Sequence, residues 1–450
     1  MVVYKHGELS LKLSRQIKPH QHHVSELSPY FYNRRMPKAD YIPTVLDLFA
    51  GAGGFSLGFH WAGFKPTVAI DFNPLAIQTL ESNFGHLGVK VLQRDLSSFI
   101  PKDLKEHLLG QGLSASFDVI IGGPPCQGWS KVGRGKLRSL KEGSPGFIPH
   151  HDSRNELYHK FLGFVREFQP RVAVMENVPG MLSHDGKNVA ESVASSLEGI
   201  GYRVTWSLMN ASDFGVPQHR HRLIFVGVRN DHRRSFVFPK TLAKSGRRAF
   251  PMVTLMDAIG DLPVIRNGSQ EWVREYKTPK SKGQFLKKMR MGADRKTIFD
   301  HVCRTQNDQD LQAFRLMRQG GKYADLPKRF KRYRDDIFKD KYRKLRWDEP
   351  SGCVTAHLGK DCYTHIHPSQ ARTISVREAA RIQSFPDSFF FGGSMGSKFT
   401  LIGNAVPPVL SEHIAIAIKQ QLFPSTNPAA DRESPVFTTL PTRLAELAIA

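Results

Sequence analysis

Cys126 sits at the tip of Gly122-Gly123-Pro124-Pro125-Cys126-Gln127-Gly128-Trp129-Ser130, directly after the apolar run Phe117-Asp118-Val119-Ile120-Ile121. A short β-branched run ending in glycines and two prolines reads as a buried strand whose end opens into a stiff loop. The prolines fix φ and remove two backbone donors, so the loop cannot continue a sheet and presents the thiol in few geometries, as a nucleophile requires. A lone cysteine is more often a small buried hydrophobe, but Pro-Pro-Cys-Gln after a strand is a poor way to fill a core. At an unperturbed pKa near 8.5 only about 3% of a thiol is ionised at neutral pH, so cationic neighbours are needed to make it reactive. Gln218-His219-Arg220-His221-Arg222 precedes the apolar run Leu223 to Val228, and alternation puts Arg220 and Arg222 on one side, where both can reach one site. Val172-Ala173-Val174-Met175-Glu176-Asn177 is a buried strand running into a carboxylate, which is costly to desolvate without a partner or a purpose. A salt-bridged structural glutamate is the competing reading of Glu176.

These groups need a scaffold that gathers strand ends, and the patterning supplies one. Val45 to Phe49 is a strand, Ala50-Gly51-Ala52-Gly53-Gly54 a tight turn, and a helix begins at Phe55. Strands follow at Pro66 to Ile70, Val89 to Leu92, Phe117 to Ile121, Val172 to Met175, 203–209 and 223–228. Helices are expected at Pro74 to Phe84, 103–109, 156–168 and 188–198, then at Ser375 to Ser384 and, after a loop, up to Leu422. Such alternation implies an α/β fold with a mostly parallel sheet and right-handed crossovers. The glycine turn departs from the dinucleotide fingerprint, whose third glycine would fall on Ser56, so a nicotinamide site is disfavoured. Asp71 ends the second strand, where a carboxylate can accept hydrogen bonds from both hydroxyls of a ribose, with Phe72 beside it to stack on adenine. Asp95, after the third strand, is similarly placed for an adenine amino group. Each carboxylate alone is more often a turn residue, but suitable groups at three consecutive strand ends are unexpected by chance.

The chain has 450 residues, 40% of them hydrophobic, enough for a large core and a second domain. Its 64 Lys+Arg against 41 Asp+Glu give a formal charge of +23, which favours a polyanionic partner. Residues 271–350 hold 23 Lys+Arg and 12 Asp+Glu, so +11 of that excess lies in one segment, with Trp272, Tyr276, Phe330, Tyr333, Tyr342 and Trp347 interleaved. A merely solvated surface does not explain the sign bias, and a nucleic-acid face including Arg329, Lys331, Arg332 and Arg334 is expected there. Cys126, Cys303, Cys353 and Cys362 are far apart, with no Cys-x-x-Cys pair, so no structural zinc, other metal or disulfide framework is expected. No apolar run approaches the roughly 20 residues of a membrane span, and the start lacks an apolar leader core, so a cytoplasmic protein is expected. Residues 1–40 read as a basic N-terminal extension and 424–450 as a tail.

Taken together, these motifs resemble the DNA (cytosine-5-)-methyltransferase family in its prokaryotic restriction-modification form. The resemblance rests on Phe49-x-Gly51-x-Gly53-Gly54, Pro124-Pro125-Cys126-Gln127, Glu176-Asn177-Val178, Gln218-x-Arg220-x-Arg222, Arg377-Glu378-Ala379-Ala380-Arg381-Ile382-Gln383 and Gly403-Asn404-Ala405-Val406-Pro407-Pro408, all in the family's order. It implies a Rossmann-like S-adenosylmethionine-dependent domain over 41–229, a smaller irregular basic target-recognition domain over 230–371, and a return to the catalytic domain over 372–423. Phe49, Gly51, Gly53, Gly54, Asp71, Phe72, Asp95, Pro124, Asn404 and Val406 would line the S-adenosylmethionine site. Cys126 would add to C6 of a flipped-out cytosine, Glu176 would hold N3 and the exocyclic amine, Arg222 would contact the base carbonyl, and Arg220 would orient the loop and the carboxylate.

The resemblance also implies contacts to double-stranded DNA from Gln127 and Ser130, and from Thr355 in the closing element Pro350-Ser351-Gly352-Cys353-Val354-Thr355. It implies a monomer bound to the nucleoid of a bacterial-type cell, with a cognate restriction endonuclease acting separately. A cytosine-C5 methyltransferase acting on transfer RNA shares Pro-Pro-Cys-Gln, but ranks below DNA because the segment between Gly227 and Arg372 is long and basic. A non-catalytic DNA-binding regulator on the same scaffold is opposed by the intact catalytic positions. A thiol oxidoreductase is opposed by the lack of a resolving cysteine near Cys126.

Overall fold

The computed structural model describes residues 41–125, 157–183, 188–239, 252–276, 283–293, 296–331 and 342–424, all within one compact unit. Seven strands, β1 (Thr44–Leu48), β2 (Lys65–Asp71), β3 (Lys90–Gln93), β4 (Val119–Gly122), β5 (Val172–Asn177), β6 (Tyr202–Asn210) and β7 (His221–Arg229), form one sheet. Their order is β3-β2-β1-β4-β5-β7-β6. The first five are mutually parallel, while β7 runs antiparallel to both β5 and β6. The alternation in the sequence locates every one of these strands to within two residues at each end.

It does not reveal that β7 inserts between β5 and β6, which has a physical cause. Leu223 to Val228 is buried on both faces and must sit inside the sheet, whereas β6 is exposed at several positions and takes the edge. Thr44 to Leu48 shows the same logic within one strand. Val45 faces one apolar layer with Val119, Val174 and Ile224, while Leu46 and Leu48 face the other with Ile120, Met175 and Phe225.

The helices are α1 (Gly54–Trp61), α2 (Pro74–Phe84), α3 (Pro101–Gly110), α4 (Leu157–Phe168), α5 (Val189–Glu198), α6 (Leu255–Ile259), α7 (Gln284–Met289), α8 (Asp308–Leu316), α9 (Val376–Ile382), α10 (Met395–Asn404) and α11 (Pro408–Leu422). α2 begins where the sequence says it should, because the Asn73 side chain accepts from Leu75 N at 2.9 Å and Pro74 fills the first helical position. α3, α4 and α5 cover one sheet face; α1 and α11 cover the other. The last two pack closely because Gly58 lacks a Cβ, which would lie 2.4 Å from Ser411 Cβ and 2.5 Å from Pro408 O. Met395–Leu422 is the one stretch among the described residues apolar and long enough to cross a membrane, but most of it is buried inside the protein, and it is split by Pro407 and Pro408 into two core helices.

The apolar clusters divide the later part of the chain at places composition does not mark. Leu255 and Ile259 of α6 share a cluster with Leu80 and Phe84 of α2, Ile382 of α9 and Phe399 of α10. Among the described residues Ala313, Phe314, Tyr323, Phe330, Tyr342 and Ile366 form a small separate cluster. α9 is wholly buried. Its Arg381 meets Asp261 and Asp387, while Arg372 just ahead of it grips Glu378 at 2.7 and 2.8 Å. The Arg381–Asp261 pair fastens the segment after α6 to α9.

Candidate active site

The C-terminal ends of β1, β2, β4 and β5 lie along one edge of the sheet, and the candidate site collects there. At the end of β1 the backbone turns sharply: Phe49, Gly51 and Gly53 all have positive φ, at 57°, 55° and 81°. A non-glycine residue such as Phe49 in this region is strained, which marks a turn held by its surroundings. The three glycines have different reasons. A Cβ on Gly53 would strike the Phe84 ring at 2.5 Å, and one on Gly54 would strike Val406 O at 2.2 Å, so these two permit packing. A Cβ on Gly51 would meet nothing within 4 Å, so here the backbone borders open space.

Asp71, at the end of β2, accepts from Gly51 N at 2.8 Å and from Asn73 N at 2.9 Å, locking the turn to the strand. Burial pushes its carboxyl pKa up. Phe72 beside it is 64% exposed, a large apolar ring left uncovered next to the open turn. Asp95 is exposed, its Oδ1 accepting from Ser97 N at 2.8 Å. Asn404 is exposed at the end of α10, and Val406 is buried with its carbonyl against Gly54. The turn, the uncovered ring and the two carboxylates suit a ligand with a ribose and an adenine.

Cys126, Gln127 and Ser130 lie outside the described residues, as do Arg332 and Arg334. The approach to Cys126 is described as far as Pro125, and it runs past Glu176. A Cβ on Gly123 would be 3.1 Å from Glu176 Oε2, so the glycine lets the backbone lie against the carboxylate. Pro124 is buried, and its carbonyl accepts from Asn177 Nδ2 at 3.3 Å. Asn177 is not among the functional residues expected from the motifs; its signal is a polar amide at the end of an apolar strand, which must find a partner when buried.

Glu176 Oε1 lies 2.6 Å from Arg222 Nε, and the two side chains keep only 11% and 13% of their surface open. Arg220 is drawn elsewhere. Fully buried, it donates to Val354 O at 2.7 Å, Gly403 O at 3.1 Å and Ala405 O at 3.0 Å. Burial, and then the charge of Arg222, pull its pKa down to about 10. It thus ties the closing element and the segment around Asn404 to the start of β7. Gln218 extends this tie: its Nε2 donates to Ile382 O and to Gln383, its Oε1 accepts from Val354 N at 3.1 Å, and Gln383 Nε2 donates to Ala405 O at 2.6 Å. Thr355 is half-buried, with its backbone against Gly403. Arg329 is exposed beside the buried Phe330, its guanidinium 5.0 Å from that ring, and Lys331 is half-buried close by.

Asp47 is a further buried group near the site that the motifs do not mark. It accepts from Ser56 Oγ at 2.6 Å, and burial raises its pKa to about 7. Ser56, which breaks the dinucleotide fingerprint, is therefore the partner of this carboxyl.

The profile of the C-5 cytosine-specific DNA methylases matches residues 43–420. A provisionally assigned type II methyltransferase of Oceanobacillus iheyensis is 33% identical, over 85% of this chain and 96% of its own. Type II methyltransferase M.AgeI of Thalassovita gelatinovora is 32% identical, over 83% of this chain and 99% of its own. Among solved structures, a chain from an E. coli prophage, provisionally assigned as a DNA modification methyltransferase, superposes with a TM-score of 0.65 at 27% identity, covering 85% of this chain and 99% of its own. With the profile spanning the sheet, the Glu176–Arg222 pair and the C-terminal return, the chain belongs to the C-5 cytosine-specific DNA methylases and is a DNA (cytosine-5-)-methyltransferase.

Proposed function

We propose that this chain is a sequence-specific enzyme that methylates C5 of a cytosine flipped out of duplex DNA, through a covalent bond between Cys126 and C6, with S-adenosylmethionine as donor. The observation that carries the reading is the Glu176–Arg222 pair at the strand edge, with Gly123 leading the nucleophile loop directly past it. Cytosine C5 is too weak a nucleophile to take a methyl group unaided. Addition of the Cys126 thiolate at C6 makes C5 enamine-like, and splits a difficult step into easier ones. Glu176 holds N3 and the exocyclic amine and shares a proton with N3 as negative charge builds on the ring. Arg222 spends Nε on Glu176 and one terminal nitrogen on His221 O at 2.7 Å, which leaves further N–H groups for the base carbonyl. S-adenosylmethionine supplies an electrophilic methyl group. Gly51, Asp71 and Phe72 would hold it, with Asp95, Asn404 and Val406 completing its surroundings. Loss of the C5 proton to a base then lets Cys126 leave C6.

Base flipping costs a few kcal/mol of unstacking, which contacts from Thr355, Arg329, Lys331 and the rest of the basic region would offset. The relatives' names support a restriction-modification setting; the endonuclease would then be a separate protein, and this enzyme would act as a monomer in the compartment that holds the DNA. The test is single-base mapping of 5-methylcytosine on DNA and transfer RNA from a host without such enzymes, expressing either the native chain or Cys126→Ala. Methylation at one short recurring duplex sequence, lost in the variant while duplex binding persists, is expected. Methylation confined to transfer RNA, or full activity of Cys126→Ala, overturns the reading.

A further inference from the structure

A second concentration of positive charge lies on the sheet edge facing away from Glu176. Arg171 immediately precedes β5, and Glu176 lies near its other end, so roughly 16 Å of extended chain separates them. Because β7 is antiparallel to β5, the register that brings Arg222 to Glu176 also brings Arg229 out beside Arg171, whose carbonyl accepts from Arg229 N at 3.0 Å. β6 pairs Tyr202 with Arg229, which places Arg203 on the same edge. Three adjacent strands therefore contribute a row of guanidinium groups to the rear of the sheet.

The loop after β7 is built around this row. The Arg203 guanidinium donates to the carbonyls of Asn230, His232 and Arg234, curling the loop about itself. Arg233 and Arg234 are left exposed by that curl. Arg234 also reaches Gln421 O at 3.3 Å, and His232 Nε2 lies 3.1 Å from Leu422 O, so the loop is pinned to the end of α11. Between loop and helix is a concavity lined chiefly by Arg171, Arg229, His232, Arg233, Arg234 and Leu422.

Among the described residues its charge is only partly matched. Asp231 is held at both oxygens by Arg229, at 2.8 and 2.9 Å. Asp118, 3.8 Å from Arg171, already accepts from Tyr41 Oη, Thr44 N and Thr44 Oγ1. Among the described residues, five guanidinium groups thus share two occupied carboxylates. Like charges gathered this closely repel one another and create a positive potential, which an external polyanion would relieve. Planar guanidinium forks in a row suit successive phosphates of a backbone better than one compact anion.

We propose that this rear arginine cluster is a second, sequence-independent site for duplex DNA, gripping the phosphate backbone of a segment other than the one in the catalytic cleft. The inference rests on the reading that the opposite edge engages duplex DNA. With two faces able to hold DNA, an incoming segment binds before the first is released, and the enzyme passes between segments without a free intermediate.

The experiment follows release of the full-length enzyme from a labelled duplex of about 14 base pairs carrying its mapped methylation site, while unlabelled duplex of unrelated sequence is raised. The native chain is expected to dissociate about fivefold faster at high competitor than at low, with a steep salt dependence of that acceleration. Arg233→Gln/Arg234→Gln, at exposed positions, is expected to dissociate at a rate independent of competitor, while single-turnover methylation of the short duplex stays within about twofold. A native rate that ignores competitor, or an acceleration unchanged in the variant, overturns the proposal. Acceleration by inorganic phosphate at equal phosphate concentration would show a small-anion pocket instead and also overturns it. Methylation without competitor-driven release removes this inference alone, whereas competitor-driven release from an enzyme that methylates no DNA removes the proposed function.

Discussion

Arg222 meets Glu176 at 2.6 Å, joining β7 to β5 at the edge where the Gly123-Pro124-Pro125 segment begins. This pair is open enough to touch a base and buried enough to make the interaction strong. Glu176→Gln keeps the shape but removes the proton-sharing carboxyl. We expect single-turnover methylation to fall by about 10²- to 10⁴-fold, with duplex affinity changed only a few-fold. A variant retaining the native rate would show that the carboxyl does no proton work.

Arg220, two residues earlier, has a different fate. Its removal would leave the Val354, Gly403 and Ala405 carbonyls without this donor. Arg220→Ala should lower the unfolding free energy in urea by about 3–5 kcal/mol, and Arg220→Lys by less. Arg222→Ala should unfold closer to the native chain but lose more of its rate. Equal destabilisation of the two alanine variants would contradict this division of roles.

Asp47 makes stability depend on pH. Burial raises its pKa from 3.8 to about 7 in the folded chain, so the fold binds a proton that the unfolded chain has released in between. The stabilisation is complete below the unfolded value, declines as pH rises, and is lost once pH passes about 7. Asp47→Asn, which can still accept from Ser56, should therefore gain stability relative to the native chain between about pH 4 and 7, by a few kcal/mol, and level off above. Parallel urea titrations at several pH values check this; a constant difference across the range would refute it.

Lys328 and Arg329 are exposed on the short turn that carries Phe330. If they face DNA phosphate, replacing both with glutamine should flatten the slope of log affinity against log salt by about 0.9 for each phosphate left without its cation. An unchanged slope would move the DNA face away from this turn.

The sequence by itself determined what depends on neighbours along the chain. Alternating apolar residues placed the strands, Asn73 and Pro74 started α2 at its observed residue, and the glycines after Asp47 required a tight turn. The family-like order of Phe49, Cys126, Glu176 and Arg222 was legible for the same reason, since the motifs follow apolar runs and strand ends such as those at Phe49 and Glu176 are set locally. Only the tertiary structure decided which side chains meet. Arg220 and Arg222 are equivalent by alternation, yet Arg222 lies in β7 beside Glu176, while Arg220 precedes the strand and meets segments more than 130 residues away. Gly53 and Gly54 resemble Gly51 in the motif, but only packing against Phe84 and Val406 separates their roles. The insertion of β7 beside β5 sent Arg222 to the edge of the candidate site and Arg229 to the rear one. No local rule contains that step, because strand order is chosen by long-range burial, which a period along the chain does not record.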